Sequence, residues 1–285
     1  MYDLTGRVAL VTGAAGGGIG RATARRLLSE GASVVVTDVH ERRTDETVAA
    51  FAEEFGAERV LGALMDAGDR GAIDRTLEAA ADRFGPVDVL VNNAAVNALN
   101  PVGDMSTSDW DWAMGVNLSG PWYLSKAVLP AMVAAGRGSI VNVTSVAGYI
   151  HGANEGPYAA AKAALHQLTR TIATEYGPAG VRCNAVAPGI VHTWFVDAKA
   201  PQLLDEADRT PLRRLGTPEE IAAVVAWLVS DESSFVTGEC INASGGWERM
   251  RRSVTICNAA RPGSESSRSI LSPSCSSDVC PVSRL

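Results

Sequence analysis

The stretch Val8-Ala9-Leu10-Val11-Thr12-Gly13-Ala14-Ala15-Gly16-Gly17-Gly18-Ile19-Gly20 decides how the chain is read. Its first five residues form an apolar, partly β-branched run that predicts a strand buried on both faces. Glycine then fills five of the eight positions 13–20, and residues 21–30 carry helical spacing. A lone glycine loop is a weak signal, because glycine is common in turns. A strand, a glycine turn and a helix in that order say more. They expose backbone N–H groups at the positive end of a helix, and glycine lets a diphosphate approach the backbone closely. The next run, 33–37, ends at Asp38, near where a ribose-binding acid belongs. A carboxylate there accepts from both ribose hydroxyls and repels a 2′-phosphate, which favours NAD over NADP. Asp38 also reads as a helix N-cap ahead of Glu41. Arg42 and Arg43 place cations within reach of a phosphate.

Outward from this loop the same rhythm continues. β-Branched runs at 8–12, 33–37, 59–64, 87–92, 139–144, 181–186 and 239–242 alternate with helical stretches such as 21–30, 70–84 and 159–176. Such alternation predicts an α/β fold: a doubly wound, Rossmann-type parallel sheet of about seven strands with helices on both faces. Gly31, Gly85 and Gly177 stand where those helices should stop.

The chain has 285 residues, 46% apolar and 20% charged, which is ample for a globular core. That composition excludes wholesale disorder, collagen-like repeats and long coiled coils. The net charge of −7 argues against nucleic acid, whose phosphates need clustered cations. No apolar run reaches the roughly 18 residues of a membrane helix, and the N-terminus shows no signal-peptide pattern. A cytoplasmic protein is expected. Five scattered cysteines do not make a disulfide framework, and the four histidines show no ligand spacing, so no metal is expected. One domain is expected over residues 1–247. Residues 248–285 differ: ten serines, six arginines and three acids, net +3 beside −10 for the rest. This tail reads as a flexible appendage.

Further motifs follow in order: Asn92-Asn93-Ala94-Ala95, Asn117, Ser145, Tyr158-Ala-Ala-Ala-Lys162 and Pro188-Gly189 with Thr193. Tyr158 and Lys162 stand four apart, on one helix face. A free phenol, with a pKa near 10, is a poor base at neutral pH, and an adjacent ammonium stabilises the phenolate. Taken in register over about residues 5–247, the set resembles the short-chain dehydrogenase/reductase family in its single-domain form. The resemblance implies the strand order 3-2-1-4-5-6-7 and hydride transfer between NAD(H) and a small secondary alcohol or ketone. By resemblance, Tyr158 is the general acid/base and Ser145 holds the substrate oxygen. Lys162 also binds the nicotinamide ribose, and Asn117 anchors a proton-relay water. Cofactor contacts carry over to Gly13, Gly18, Ile19, Gly20, Asp38, Asp66, Ala67, Asn93, Ala94, Tyr158, Lys162, Pro188, Gly189, Val191 and Thr193. The loop is one residue longer than the family pattern between Gly13 and Gly18, which places more weight on Gly13, Ile19 and Gly20.

The resemblance also implies a lid over residues 193–215. Trp194 and Phe195 would offer the substrate an apolar surface, with Asn97, His151 and Asn154 as polar contacts. A homotetramer is expected, pairing the helices near 119–135 and 157–176. Two other readings stay open. One is a 3-oxoacyl-acyl-carrier-protein reductase using NADPH, hinted at by Arg213 and Arg214. The other is a dinucleotide-sensing protein without catalysis, which a broken Ser-Tyr-Lys set would have indicated.

Overall fold

Seven short runs become seven strands because each alternates its side chains between two apolar layers. A computed structural model of the chain describes residues 2–150, 152–199 and 201–247. The strands are β1 (Val8–Thr12), β2 (Ser33–Asp38), β3 (Val60–Leu64), β4 (Val89–Asn92), β5 (Gly138–Val143), β6 (Val181–Pro188) and β7 (Cys240–Ala243). They pair in the order β3-β2-β1-β4-β5-β6-β7, parallel throughout, as the sequence predicts.

The helices are α1 (Ile19–Ser29), α2 (Glu41–Phe55), α3 (Arg70–Phe84), α4 (Thr107–Met114), α5 (Gly120–Ala135), α6 (Gly156–Tyr176), α7 (Trp194–Lys199) and α8 (Pro218–Val229). Val11 of β1, Val34 and Val36 of β2, and Val89 and Val91 of β4 face α1, α2 and α8, where Leu27, Phe51 and Val225 close the layer. Their neighbours Leu10, Val35 and Leu90 face α3, α5 and α6, with Ile73, Leu124 and Ile172. The period-two alternation thus fills both faces, and each buried Val or Leu contributes about 1.5–3 kcal/mol. Among the described residues no helix is long and apolar enough to cross a membrane.

Helix stops follow the sequence signals with one shift. Gly85 caps α3 at φ 97° and Gly31 follows α1 at φ 105°. Gly177 ends α6 in right-handed geometry (φ −53°) and carries the chain into a 3₁₀ turn, Gly177–Ala179. The left-handed residue is Gly180 at φ 79°.

The order reverses between β1 and β4, and the loops that leave the carboxyl ends of β1, β4, β5 and β6 gather there. One close approach fixes that region. A Cβ on Gly20 would lie 2.3 Å from the Gly13 carbonyl oxygen and 2.5 Å from Asn93 Nδ2, whereas Gly16 and Gly17 face open space. Gly20→Ala is therefore expected to cost about 1–3 kcal/mol in urea unfolding, as overpacking does. Gly16→Ala should leave stability within about 0.5 kcal/mol of wild type.

Candidate active site

The glycine loop is held by its neighbours. Ala14 N–H donates to Thr37 O (2.9 Å) and Ala15 N–H to Asp38 Oδ2 (3.3 Å). The additional loop length is taken up here: Ala14 and Ala15 are buried, while the glycines behind them stay at the surface of a cleft. Thr12 Oγ1 accepts from the N–H groups of Asn93 and Ala94, and Asn93 Nδ2 donates to Thr12 O. These bonds lock the ends of β1 and β4 together.

A cavity of about 620 Å³ runs over the loop. Gly13, Gly18, Ile19 and Gly20 line it, with Asp38, Asp66, Ala67, Asn93, Ala94 and Thr193. Asp38 is not the cap of α2: His40 occupies that position and donates its N–H to Asp38 Oδ1 (3.2 Å). Arg43 lines the cleft, whereas Arg42 bonds to Glu46 (3.0 Å). No acid stands in the first turn of α1, so its positive end faces the cleft uncompensated. Glycine backbone without Cβ atoms, a helix N-terminus and a carboxylate at the far end fit a nicotinamide dinucleotide.

A second cavity, of about 560 Å³, shares Ile19, Asn93, Ala95, Val96 and Thr193 with the first. Ser145, Tyr158, Lys162, Pro188, Gly189 and Val191 line it. Each position has a local cause. Ser145 leaves the end of β5 in extended geometry, and its Oγ accepts from Ala147 N–H (3.1 Å). Tyr158 and Lys162 lie one turn apart on α6, with Lys162 Nζ 5.6 Å from the Tyr158 ring centre. Gly189 packs on Ser244, where a Cβ would come within 2.8 Å of backbone.

The electrostatics differ from the simple expectation. Burial holds the Tyr158 phenol above its ordinary value, a bond with Ser145 pulls it down, and the Glu155 charge pushes it up. Lys162 is 2% exposed, and burial lowers its pKa to about 8. Its ammonium donates to Val143 O at 2.8 Å. The chain's own brake on the phenol pKa is therefore Ser145.

Asn117 is held by its side chain, which leaves its backbone carbonyl to carry the relay-water role that the resemblance implies. It sits in a π-helical turn, Gly115–Ser119, of the kind that often marks functional sites. Its side chain is fully buried, accepts from Val96 N–H (2.9 Å) and donates to Val96 O (2.8 Å). Both amide groups are thus spent on holding residue 96, and the side chain does not line either cavity.

In the lid region, α7 and a 3₁₀ stretch, Pro201–Arg209, account for most residues. Among the described side chains, Val196 and Leu203 line the second cavity, while Trp194 lies in the dinucleotide cleft; the Phe195 side chain lies outside those described. Asn97 lines the second cavity. Asn154 is exposed, in left-handed geometry at φ 65°. His151 and residues 248–285 lie outside the described residues. Sequence reasoning missed Glu155, Glu206 and Trp247, which also line the second cavity. Glu206 and Trp247 are brought together by a bond from Trp247 Nε1 (3.3 Å), a long-range contact with no local signature.

Comparison with known proteins agrees with this geometry. Residues 13–248 match the family model described as enoyl-(acyl carrier protein) reductase. The chain is 40% identical to the (2S)-[(R)-hydroxy(phenyl)methyl]succinyl-CoA dehydrogenase subunit BbsD of Thauera aromatica, over 84% of this chain and 96% of that one. It is also 40% identical to the 3-oxoacyl-[acyl-carrier-protein] reductase FabG of Thermotoga maritima, over 85% and 98%. Among solved structures, a putative gluconate dehydrogenase from Agrobacterium tumefaciens superposes with a TM-score of 0.82 at 30% identity, covering 86% of this chain and 97% of that one. The seven-stranded parallel sheet, the matched model and these relatives together place the chain in the short-chain dehydrogenase/reductase family of oxidoreductases, which use nicotinamide dinucleotides.

Proposed function

We propose that this chain interconverts a secondary alcohol and a ketone with NAD(H), using Tyr158 as general acid and base. The carrying observation is that Ser145, Tyr158 and Lys162 line one cavity that adjoins the glycine-loop cleft. A bound nicotinamide dinucleotide supplies the hydride acceptor or donor. The chain's residues handle the oxygen and the proton. Ser145 Oγ orients the substrate oxygen, and Tyr158 Oη takes the alcohol proton in oxidation or gives one in reduction. Lys162 contributes positive charge beneath the phenol and a donor for the nicotinamide ribose. The Asn117 side chain acts indirectly, by fixing Val96 at the mouth shared by the two cavities. Val196, Leu203 and Trp247 offer an apolar wall to the body of the substrate.

The competing reading is an NADPH-dependent 3-oxoacyl-carrier reductase, in keeping with the Thermotoga maritima relative. Arg43 at the cleft favours it. Of the two lid arginines, Arg214 bonds bidentately to Glu220 (2.7 and 2.5 Å), whereas Arg213 is exposed, in left-handed geometry at φ 51°. The proposal carries with it a cytoplasmic homotetramer, built on the α5 and α6 faces, with residues 248–285 outside the catalytic machinery.

Four outcomes test this reading. Oxidation needs the phenolate and reduction the neutral phenol, so alcohol oxidation should climb with pH while ketone reduction falls. Ser145→Ala should move both profiles to higher pH, because it deletes the bond that lowers the phenol. Tyr158→Phe should lower kcat by roughly 10²–10⁴-fold with NADH binding retained, measured by fluorescence titration. For the coenzyme, kcat/KM across a ketone panel should favour NADH over NADPH, and Asp38→Ala should erase the preference; an NADPH preference in the wild type would give the site to Arg43. Light scattering should return a tetramer mass, unchanged together with turnover when residues 250–285 are deleted.

A further inference from the structure

His166 lies outside the reaction just described, yet it is 4% exposed and stands one helical turn beyond Lys162 on α6. Its Nε2 is 2.8 Å from Thr144 Oγ1. That hydroxyl donates its own hydrogen to Val186 O at 2.9 Å, so it accepts from His166, which fixes the ring as the Nε2–H tautomer. The ring also stacks on Tyr149, centre to centre 4.3 Å, at the end of the 3₁₀ turn Val146–Gly148. A Cβ on Gly148 would meet His166 Cε1 at 2.7 Å, so the turn closes down on the imidazole. Thr144 precedes Ser145, and Tyr149 follows the turn that Ser145 opens. His166 therefore grips both ends of the segment that carries Ser145, from the helix that carries Tyr158.

We infer that His166 is a positioning residue for the reaction, holding the 144–149 segment so that the Ser145 hydroxyl meets the Tyr158 phenol and the substrate oxygen. This rests on the role given to Tyr158 above. Two neighbouring bonds extend the same seam. Lys162 Nζ donates to Val143 O at 2.8 Å, and Asn142 Nδ2 donates to Thr169 Oγ1 at 2.9 Å. Positions 162, 166 and 169 share one face of α6, and positions 142, 143 and 144 run consecutively from β5 into Thr144. The His166 bond lies nearest Ser145. Catalytic geometry tolerates little displacement: a shift of about 1 Å can cost on the order of 100-fold in rate.

The test compares wild type, His166→Val, His166→Gln, Thr144→Val and Ser145→Ala, each loaded with NAD. Tyr158 ionisation is followed by tyrosinate absorbance, as the difference from the same protein carrying Tyr158→Phe. The groups acting on that phenol are Ser145, Glu155 and the nearby Lys162. Turnover of cyclohexanol is measured in parallel. His166→Val should raise the Tyr158 midpoint in the same direction as Ser145→Ala and lower kcat about tenfold, with the NAD dissociation constant changed less than about twofold. Thr144→Val, which keeps the shape and deletes the acceptor, should do the same. It also answers the question if His166→Val does not fold. His166→Gln, whose amide N–H can replace Nε2–H, should restore both readouts. A midpoint that stays at the wild-type value in both His166→Val and Thr144→Val, while Ser145→Ala moves it, would overturn the inference alone. A midpoint unmoved by Ser145→Ala would overturn this inference, whereas wild-type kcat in Tyr158→Phe would overturn the acid/base reading on which it rests. Failure of His166→Gln to improve on His166→Val would overturn the donor role.

Discussion

Three polar side chains on one face of α6 meet three consecutive residues at the end of β5. Lys162 reaches Val143 O, His166 reaches Thr144 Oγ1, and Thr169 reaches Asn142 Nδ2. The rest of the site depends on this seam. Apolar packing is non-directional and lets a helix slide along a sheet at modest cost. Hydrogen bonds of 2.8–2.9 Å in a buried layer permit one register only, because slipping by one residue leaves several polar groups unpaired. The seam therefore converts a sheet–helix contact into a fixed distance between Ser145 on one element and Tyr158 on the other. It continues into the sheet through Asn92, whose Nδ2 donates to Asn142 Oδ1 (2.8 Å), and so reaches the end of β4, next to Asn93 beside the glycine loop.

The two cavities divide the labour along that line. The glycine-loop side brings five glycines and the Asp38 carboxylate to one cleft, which suits a ligand recognised by phosphate and ribose. The second side is lined from many separate segments, among them the ends of β4, β5 and β6, α6, the lid and Trp247. Backbone sites change slowly with sequence, whereas a pocket of side chains on a lid can be re-lined while the acid/base geometry stays intact. The relatives' names refer to different substrates.

Much of this was legible in the sequence, for physical reasons. The strands announce themselves because both sheet faces are buried, which demands continuous apolar runs. Gly13 and Gly20 announce themselves because a close approach admits no side chain. Tyr158 and Lys162 stand at a fixed spacing because the helix imposes it. What could not be read depends on distant partners. That the Asn117 side chain holds Val96 from a π-turn is marked by no local pattern. His166 looks like an isolated histidine until Thr144 and Tyr149 arrive from elsewhere in the chain. Arg214 suggested a basic patch until Glu220 neutralised it. Gly177 and Gly180 are both glycines near a helix end, and only the φ angles tell which of them turns the chain.

The packing of α8 against α1 has a consequence for biosynthesis. These helices cover the same face of the sheet, and Leu27 and Leu28 of α1 share their cluster with Ile221, Val225 and Leu228 of α8. The chain must therefore be extended by about two hundred residues before the first helix acquires its permanent neighbour. During that interval an apolar stripe beside the glycine loop remains open to water and to other unfinished chains. The parallel sheet adds to the delay, because β1 must wait for β4 before it is flanked on both sides. The segment synthesised first is thus among those completed late in synthesis.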